Sequence, residues 1–398
     1  MQKIFLILII FVCSFTDAKS QFYSKKKIVN AEDAIVGASR MDLYLPQLMN
    51  KNVAVVANQT SIFNNTHLID TLISKGINLK KIFTPEHGFR GTADEGALIN
   101  NSIDKKTQLP IISLYGKNKK PTSEQLKDID ILVFDLQDVG TRFYTYISTM
   151  TYVMEAAAEN KIPVIVLDRP NPNGFYIDGP VLEKENASFV GLHQVPVVYG
   201  LTIGEYAKMV NGEYWLKDSL QCELSVIPLG NYDRRNIYKL PVKPSPNLPN
   251  WESIYLYPSL CFFEGTTVSV GRGTEMPFQV YGHPSIQSDY SFIPKQTEGR
   301  NKPLHCDKKC HGENLKCYTI DYKKNKNEIN LKWLICAYNQ LKNEETFFNN
   351  FFVKLSGTKM LQEQIEQGLN EEEIRESWQE GLDEYRKVRV KYLLYNDF

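Results

Sequence analysis

The 398-residue sequence has no surplus of charge of either sign, with 46 lysines and arginines against 46 aspartates and glutamates. It also lacks the basic runs that track a phosphate backbone, so nucleic acid is not an expected partner. Beyond the N-terminus no apolar run is long enough for a membrane-spanning helix. Several chemical fingerprints are missing too. No G-x-G-x-x-G follows the first apolar strand, which removes the dinucleotide signature. No Walker A loop, no G-x-S-x-G nucleophile elbow and no H-E-x-x-H pair occurs. No cofactor is therefore expected.

Cysteine is sparse, and the N-terminus bears on how it is read. MQKIFLILIIFVCSFTDAKS starts basic at Lys3 and continues apolar from Ile4 to Val12, a signal-peptide pattern too short to span a bilayer. Residues 1–20 are expected to be a signal peptide and the protein to be exported to the periplasm. Phe11-Val12 before Cys13 makes a poor lipidation site. Six cysteines follow this segment. Cys306, Cys310 and Cys317 cluster in HCDKKCHGENLKC, whose spacing fits no common zinc knuckle, and in an oxidising compartment a disulfide among them is expected. Cys261 and Cys336 lie in apolar runs and read as core.

From residue 52 the chain alternates short apolar strands with helical patterns. NVAVVANQT, LKKIFTPEHG, PIISLYG, IDILVFDLQDVG and KIPVIVLDRPNPNG read as strands. HLIDTLISKG, SEQLKDI and YISTMTYVMEAAAENK read as helices. Apolar strands without alternation imply a mostly parallel sheet covered on both faces. The expected fold class is α/β, with a Rossmann-like three-layer domain over residues 25–220. A smaller α+β domain is expected over 221–398. The Pro-rich PVKPSPNLPNWESIYLYPS reads as irregular. Asn370 with Glu373 reads as a capping box.

Ligands of parallel α/β sheets bind beyond the carboxyl ends of the strands. Here those ends carry Asn58, then Glu86 and His87, then Tyr115, then Asp135, Gln137, Asp138 and Arg142, then Asp168, Arg169, Asn171 and Asn173. One such ending is ordinary turn chemistry, but several at one edge would share a crevice. Glu86, between Pro85 and His87-Gly88, is the favoured catalytic carboxylate. Asp135, inside an apolar strand, needs partners and is the candidate second carboxyl group. Carboxylates with amide and tyrosine support suit glycoside hydrolysis. Asp135, Asp138 and His87 would alternatively suit a metal-dependent hydrolase. A non-catalytic sugar-binding protein is the third possibility.

TPEHGFRG, FDLQDVGTRFYTY, LDRPNPNG, DGPVLE, VPVVYGLTIGEYAKMVNGE, PSPNLP, YPSLCFFEGTTVSVGRGTEMPFQVYG and VKYLLY together resemble the NamZ-type exo-β-N-acetylmuramidases. The likeness runs from about Val53 to Tyr395, with HCDKKCHGENLKC falling outside it. The resemblance implies an active cleft between two domains. It also implies release of N-acetylmuramic acid (MurNAc) from the non-reducing end of peptidoglycan fragments, with the PEHG glutamate, Glu86, catalytic. Tyr144 and His87 are candidates to orient Glu86 or to contact the sugar. Asp94 is a further acid near it. The lactyl carboxylate of a muramic acid would need a cation, and a guanidinium fork suits it. Arg90, Arg142, Arg169 and Arg272 all lie in the motifs, and Arg272 is preferred, because the second domain would supply specificity. That domain also offers Glu264 and Glu275.

Overall fold

Segments such as NVAVVA and ILVFD put an apolar side chain at every position, so a strand made from them must be covered on both faces. The computed structural model, which describes residues 26–86, 89, 102–296, 302–343 and 346–398, shows this arrangement. The expected signal peptide, with Cys13, lies outside the described residues. The main sheet comprises β1 (Asn52–Ala57), β2 (Asn78–Thr84), β3 (Ser102–Ile103), β4 (Pro110–Ser113), β5 (Ile131–Asp135), β6 (Val164–Leu167) and β7 (Leu224–Ile227). Its seven strands run in the order β7-β6-β5-β1-β2-β4-β3, all parallel except β3, which is antiparallel to β4.

Successive residues of each strand feed opposite layers, as the pleat requires. Val53, Val55 and Ala57 pack with Tyr44 and Leu48 of α1 (Met41–Leu48) and Leu68 and Leu72 of α2 (Leu68–Ser74). Ala54 and Val56 pack with Met150 and Met154 of α3 (Tyr146–Glu159) and Tyr206 of α4 (Ile203–Gly212). This second cluster continues without a break into Phe262, Phe352 and Trp378, so the C-terminal part shares an apolar core with the sheet. The C-terminal part carries α5 (Trp251–Leu260) and an antiparallel sheet of β8 (Val280–His283), β9 (Tyr290–Phe292) and β10 (Cys310–Asn314), in the order β8-β10-β9. It also carries α6 (Lys332–Leu341) and α7 (Gln379–Arg389). The capping box at Asn370 and Glu373 is present.

The chain starts at the sheet centre, moves out through β2 to β4, then returns to the other side of β1 and moves out through β5, β6 and β7. The switch point between β1 and β5 is where an open α/β sheet offers a crevice.

Four expectations change. The sheet extends past residue 220, because β7 is its edge strand. WESIYLYPSL is helical: Asn250 caps it through Ser253 N at 3.0 Å, and Pro258 enters only near its end. All six cysteines from Cys222 onward are free, so Cys306, Cys310 and Cys317 form no disulfide. Cys310 is buried on β10 and Cys317 is exposed on a separate short helix. Cys336 is exposed rather than core, because α6 turns Trp333, Leu334, Ala337 and Leu341 inward instead. Among the described residues no helix is long and apolar enough to cross a membrane.

Candidate active site

A cleft of about 530 Å³ opens over the carboxyl ends of β2, β4 and β5 and is closed by the C-terminal part. That size lies within the roughly 300–1,000 Å³ of small-ligand sites. Its floor is the loop from β5 into α3, which contributes Phe143, Tyr144, Thr145 and Tyr146. Glu86 stands beside that floor, two residues after β2, with the Thr145 hydroxyl 3.5 Å from Oε2. Tyr115 and Lys119 follow β4, and Phe189 comes from the loop after β6. The C-terminal part supplies Asn247, Tyr257, Glu264, Arg272 and Lys354.

Aromatic rings order this surface. Tyr146 and Tyr144 meet edge to face at 4.8 Å, Tyr144 and Tyr257 at 6.2 Å, and Tyr257 and Phe278 at 4.9 Å. Arg272 lies over Phe278 at 5.1 Å. Contacts thus run from Glu86, beside Thr145, through this series of rings to Arg272, and such rings are a surface on which sugar C–H faces pack. Burial raises the Tyr144 and Tyr146 phenols far above their ordinary range, so both are hydrogen-bond donors at any working pH. Both donate to Pro244 O, at 2.8 and 3.4 Å.

Of the expected site residues, Glu86, Tyr144, Glu264 and Arg272 line the cleft. His87, Arg90 and Asp94 lie outside the described residues. Asn58, Asp135, Gln137, Asp168, Arg169, Asn171 and Asn173 are buried beneath the loops, off the cleft lining. Asp135 takes Arg169 Nε at 2.6 Å on one oxygen and Nη2 at 2.9 Å on the other. This bidentate pair answers the demand that a buried carboxylate be compensated. Asn58 donates to the Tyr146 hydroxyl at 2.7 Å and so supports the floor from below. Gln137 donates to Asp138 O and Pro170 O. Asn171 donates to Leu201 O at 2.7 Å. Glu275 is exposed and off the lining.

Arg142 is wholly buried rather than in the cleft. Nη1 donates to Pro180 O and Val195 O at 2.7 Å each, and Nη2 to Leu355 O at 2.9 Å and Ser356 O at 2.6 Å. Burial lowers its pKa to about 9. Asp138 accepts from Gly140 N at 2.7 Å and from the Tyr199 hydroxyl, and burial pushes its carboxyl up to about 6. Of the carboxylates named for the alternative metal-dependent mechanism, Asp135 has both oxygens on Arg169 and Asp138 has one oxygen on Gly140 and Tyr199. Among the described residues no group of three or more His, Cys, Asp or Glu side chains could hold a metal.

Several lining residues carried no sequence signal. Thr145 and Tyr146 adjoin Tyr144 in a stretch already marked, and Asn247 sits in PSPNLP. Lys119, Phe189 and Lys354 belong to no motif, since only the fold brings residues 119, 189 and 354 together.

The N-terminal sequence model of the family described as exo-beta-N-acetylmuramidase NamZ matches residues 53–252, and its C-terminal model matches residues 255–395. The chain belongs to the NamZ exo-β-N-acetylmuramidase family. Peptidoglycan beta-N-acetylmuramidase NamZ of Bacillus subtilis (strain 168) is 40% identical over 408 aligned positions, which cover 95% of this chain and 94% of that protein. Two solved structures of DUF1343 family proteins from Bacteroides fragilis are also similar. They are 45% and 30% identical, with TM-scores of 0.85 and 0.80, and each alignment covers 92% of this chain and 99% of the other. The chain is a glycoside hydrolase. The NamZ models divide at 252–255, close to the start of α5.

Proposed function

We propose that this glycoside hydrolase removes MurNAc from the non-reducing end of peptidoglycan fragments, with Glu86 as the general acid. The observation that carries the proposal is the seating of Glu86 at the end of β2, against Thr145 and over a tyrosine floor, in a cleft of sugar size. The glycosidic oxygen needs a proton as its bond to the sugar breaks, and a positioned carboxylic acid supplies it. Glu264 is the other acid among the described lining residues. It is ion-paired to Arg272 at 2.5 Å, a contact made by the carboxylate and not by the protonated acid that a proton donor must be. Asp135 is sealed under the loops with both oxygens on Arg169, which suits a structural carboxylate.

The test is incubation with the disaccharide MurNAc–GlcNAc, with and without a strong chelator, and mass spectrometry of free MurNAc. Release that survives chelation is expected. Binding of the disaccharide without turnover would leave a sugar-binding protein, and release abolished by the chelator would revive the metal-dependent mechanism.

A further inference from the structure

Three cations line the cleft among the described residues: Lys119, Arg272 and Lys354. Arg272 is engaged by the protein itself. Its Nε and Nη2 both reach Glu264 Oε1, at 2.7 and 2.5 Å, and its guanidinium covers the Phe278 ring. A substrate carboxylate placed there would meet Glu264 on the same guanidinium, and like charges at that separation repel. The two lysines differ. Neither has a carboxylate within ion-pair distance among the described residues. Lys119 lies 4.5 Å over the Phe189 ring, and Lys354 is an exposed residue of the cleft lining.

Lys354 is also held in place. It sits on the short helix Phe352–Ser356, between two fixed ends. At one end Phe352 packs so closely on Gly265 that a Cβ there would lie 2.4 Å from the Phe352 Cα. At the other end Leu355 O and Ser356 O accept from Arg142 Nη2. Gly357 then closes the helix at φ +77°, and a Cβ on it would come 2.6 Å from the same Nη2. Arg142 lies in the loop that makes the tyrosine floor, one residue before Phe143. The buried guanidinium thus fixes the spacing between that floor and the wall that carries Lys354.

We propose that Lys354, assisted by Lys119, is the subsite for the sugar's acidic substituent, and that Arg142 is the positioning residue which holds Lys354 over the floor. The proposal rests on the muramidase function above, because the muramic acid lactyl group is the carboxylate concerned. With Glu86 protonated for catalysis and Arg272 neutralised by Glu264, the two lysines leave the described lining with net positive charge. That charge draws an anionic sugar in preference to a neutral one. Arg272 then shapes the floor beside Phe278 and does not read the acid.

The test compares free MurNAc with its lactyl methyl ester in calorimetric binding to the full-length protein, a readout that needs no turnover. The wild-type protein is expected to bind the acid about tenfold more tightly than the ester, a difference of about 1.4 kcal/mol. Raising the salt should shrink the difference, because an exposed pair is screened. Lys354→Gln should remove most of the preference, Lys119→Gln with Lys354→Gln all of it, and Lys354→Arg should restore it. Ester binding should stay unchanged in the lysine variants. Arg142→Lys should weaken acid binding more than ester binding at temperatures where the protein is fully folded. A merely structural role would weaken both equally. A preference that survives Lys354→Gln but disappears in Arg272→Gln would overturn the proposal in favour of the guanidinium, and so would a wild-type protein indifferent to esterification. Acid-selective binding without disaccharide cleavage would leave the lysine subsite standing and remove the glycosidase function instead.

Discussion

At the scale of single residues, the polar side chains at the strand ends divide into those that meet the cleft and those that hold its walls. Glu86 is the test of the first group. If it donates the proton, Glu86→Gln should lower kcat by about 10²–10⁴-fold on a sugar leaving group while KM changes little. The loss should be much smaller on an activated aryl glycoside, whose leaving group needs little protonation. Steady-state kinetics on both substrates checks this, and equal losses would assign Glu86 another role. Asn173 represents the second group. Pro258 has no N–H for Ile254 O, the carbonyl four residues before it in α5, and Asn173 Nδ2 supplies that bond at 3.0 Å while also donating to Val139 O at 2.9 Å. Asn173→Ala leaves two buried carbonyls without this donor and should cost about 2–6 kcal/mol, at roughly 1–3 kcal/mol for each group. Chemical denaturation would measure it. Sequence alone could show that Asn173, Arg142 and Arg169 were unusual, but not which group they joined. A donor that satisfies a carbonyl and a donor that meets a sugar are the same residue type at the same strand end.

At the scale of elements, the parallel strands were legible because both-face burial writes an unbroken apolar run, as in β1 and β5. Less was legible where local rules compete. Pro258 argued against a helix in WESIYLYPSL, and only the remote Asn173 makes the proline tolerable. β10 lies in the polar stretch CHGEN, whose strand character comes from being paired on both edges. The loop from β5 to α3 shows how tightly one element is specified. Gly140 has φ +79°, and a Cβ there would come 2.1 Å from Asn171 Oδ1. Gly140→Ala therefore combines left-handed strain of about 1 kcal/mol with a direct overlap. It should lower the thermal midpoint and also shift the Tyr144–Tyr146 floor. The expected signature is a rise in KM for the disaccharide in protein that is still folded at the assay temperature. A variant with a normal midpoint and normal KM would show that the loop accommodates the methyl.

At the scale of the whole molecule, the last residues of the chain strap the C-terminal part to the edge of the main sheet. Leu394 N donates to Glu205 at 2.8 Å, and the same carboxylate takes Arg234 at 2.6 Å. Arg389 holds Asp397 at 2.7 Å. The Tyr395 hydroxyl donates to Asp168 at 2.5 Å and accepts from Leu229 N at 2.7 Å. Asp168, expected from sequence beside the sugar, instead anchors this strap, together with Thr202 Oγ1 and Gly204 N at 2.8 Å each. Burial pushes its carboxyl up to about 7, although Tyr395 and the other donors pull it down. An unfolded aspartate titrates near 3.9. Between those two values the folded protein keeps a proton that the unfolded chain has lost, so stability declines as pH rises through that window. Asp138, pushed up to about 6, acts in the same direction over the lower part of it. The thermal midpoint should therefore fall from pH 5 to pH 8, with part of the fall below about pH 6.5 offset by His193, whose imidazole pKa is lowered by burial to about 3. The fall above pH 6 should be largely Asp168's and should flatten in Asp168→Asn, which cannot ionise. Tyr395→Phe removes a donor that favours the ionised form, so the fall should steepen and extend to higher pH. A decline above pH 6 that persists unchanged in Asp168→Asn would place the titrating group elsewhere.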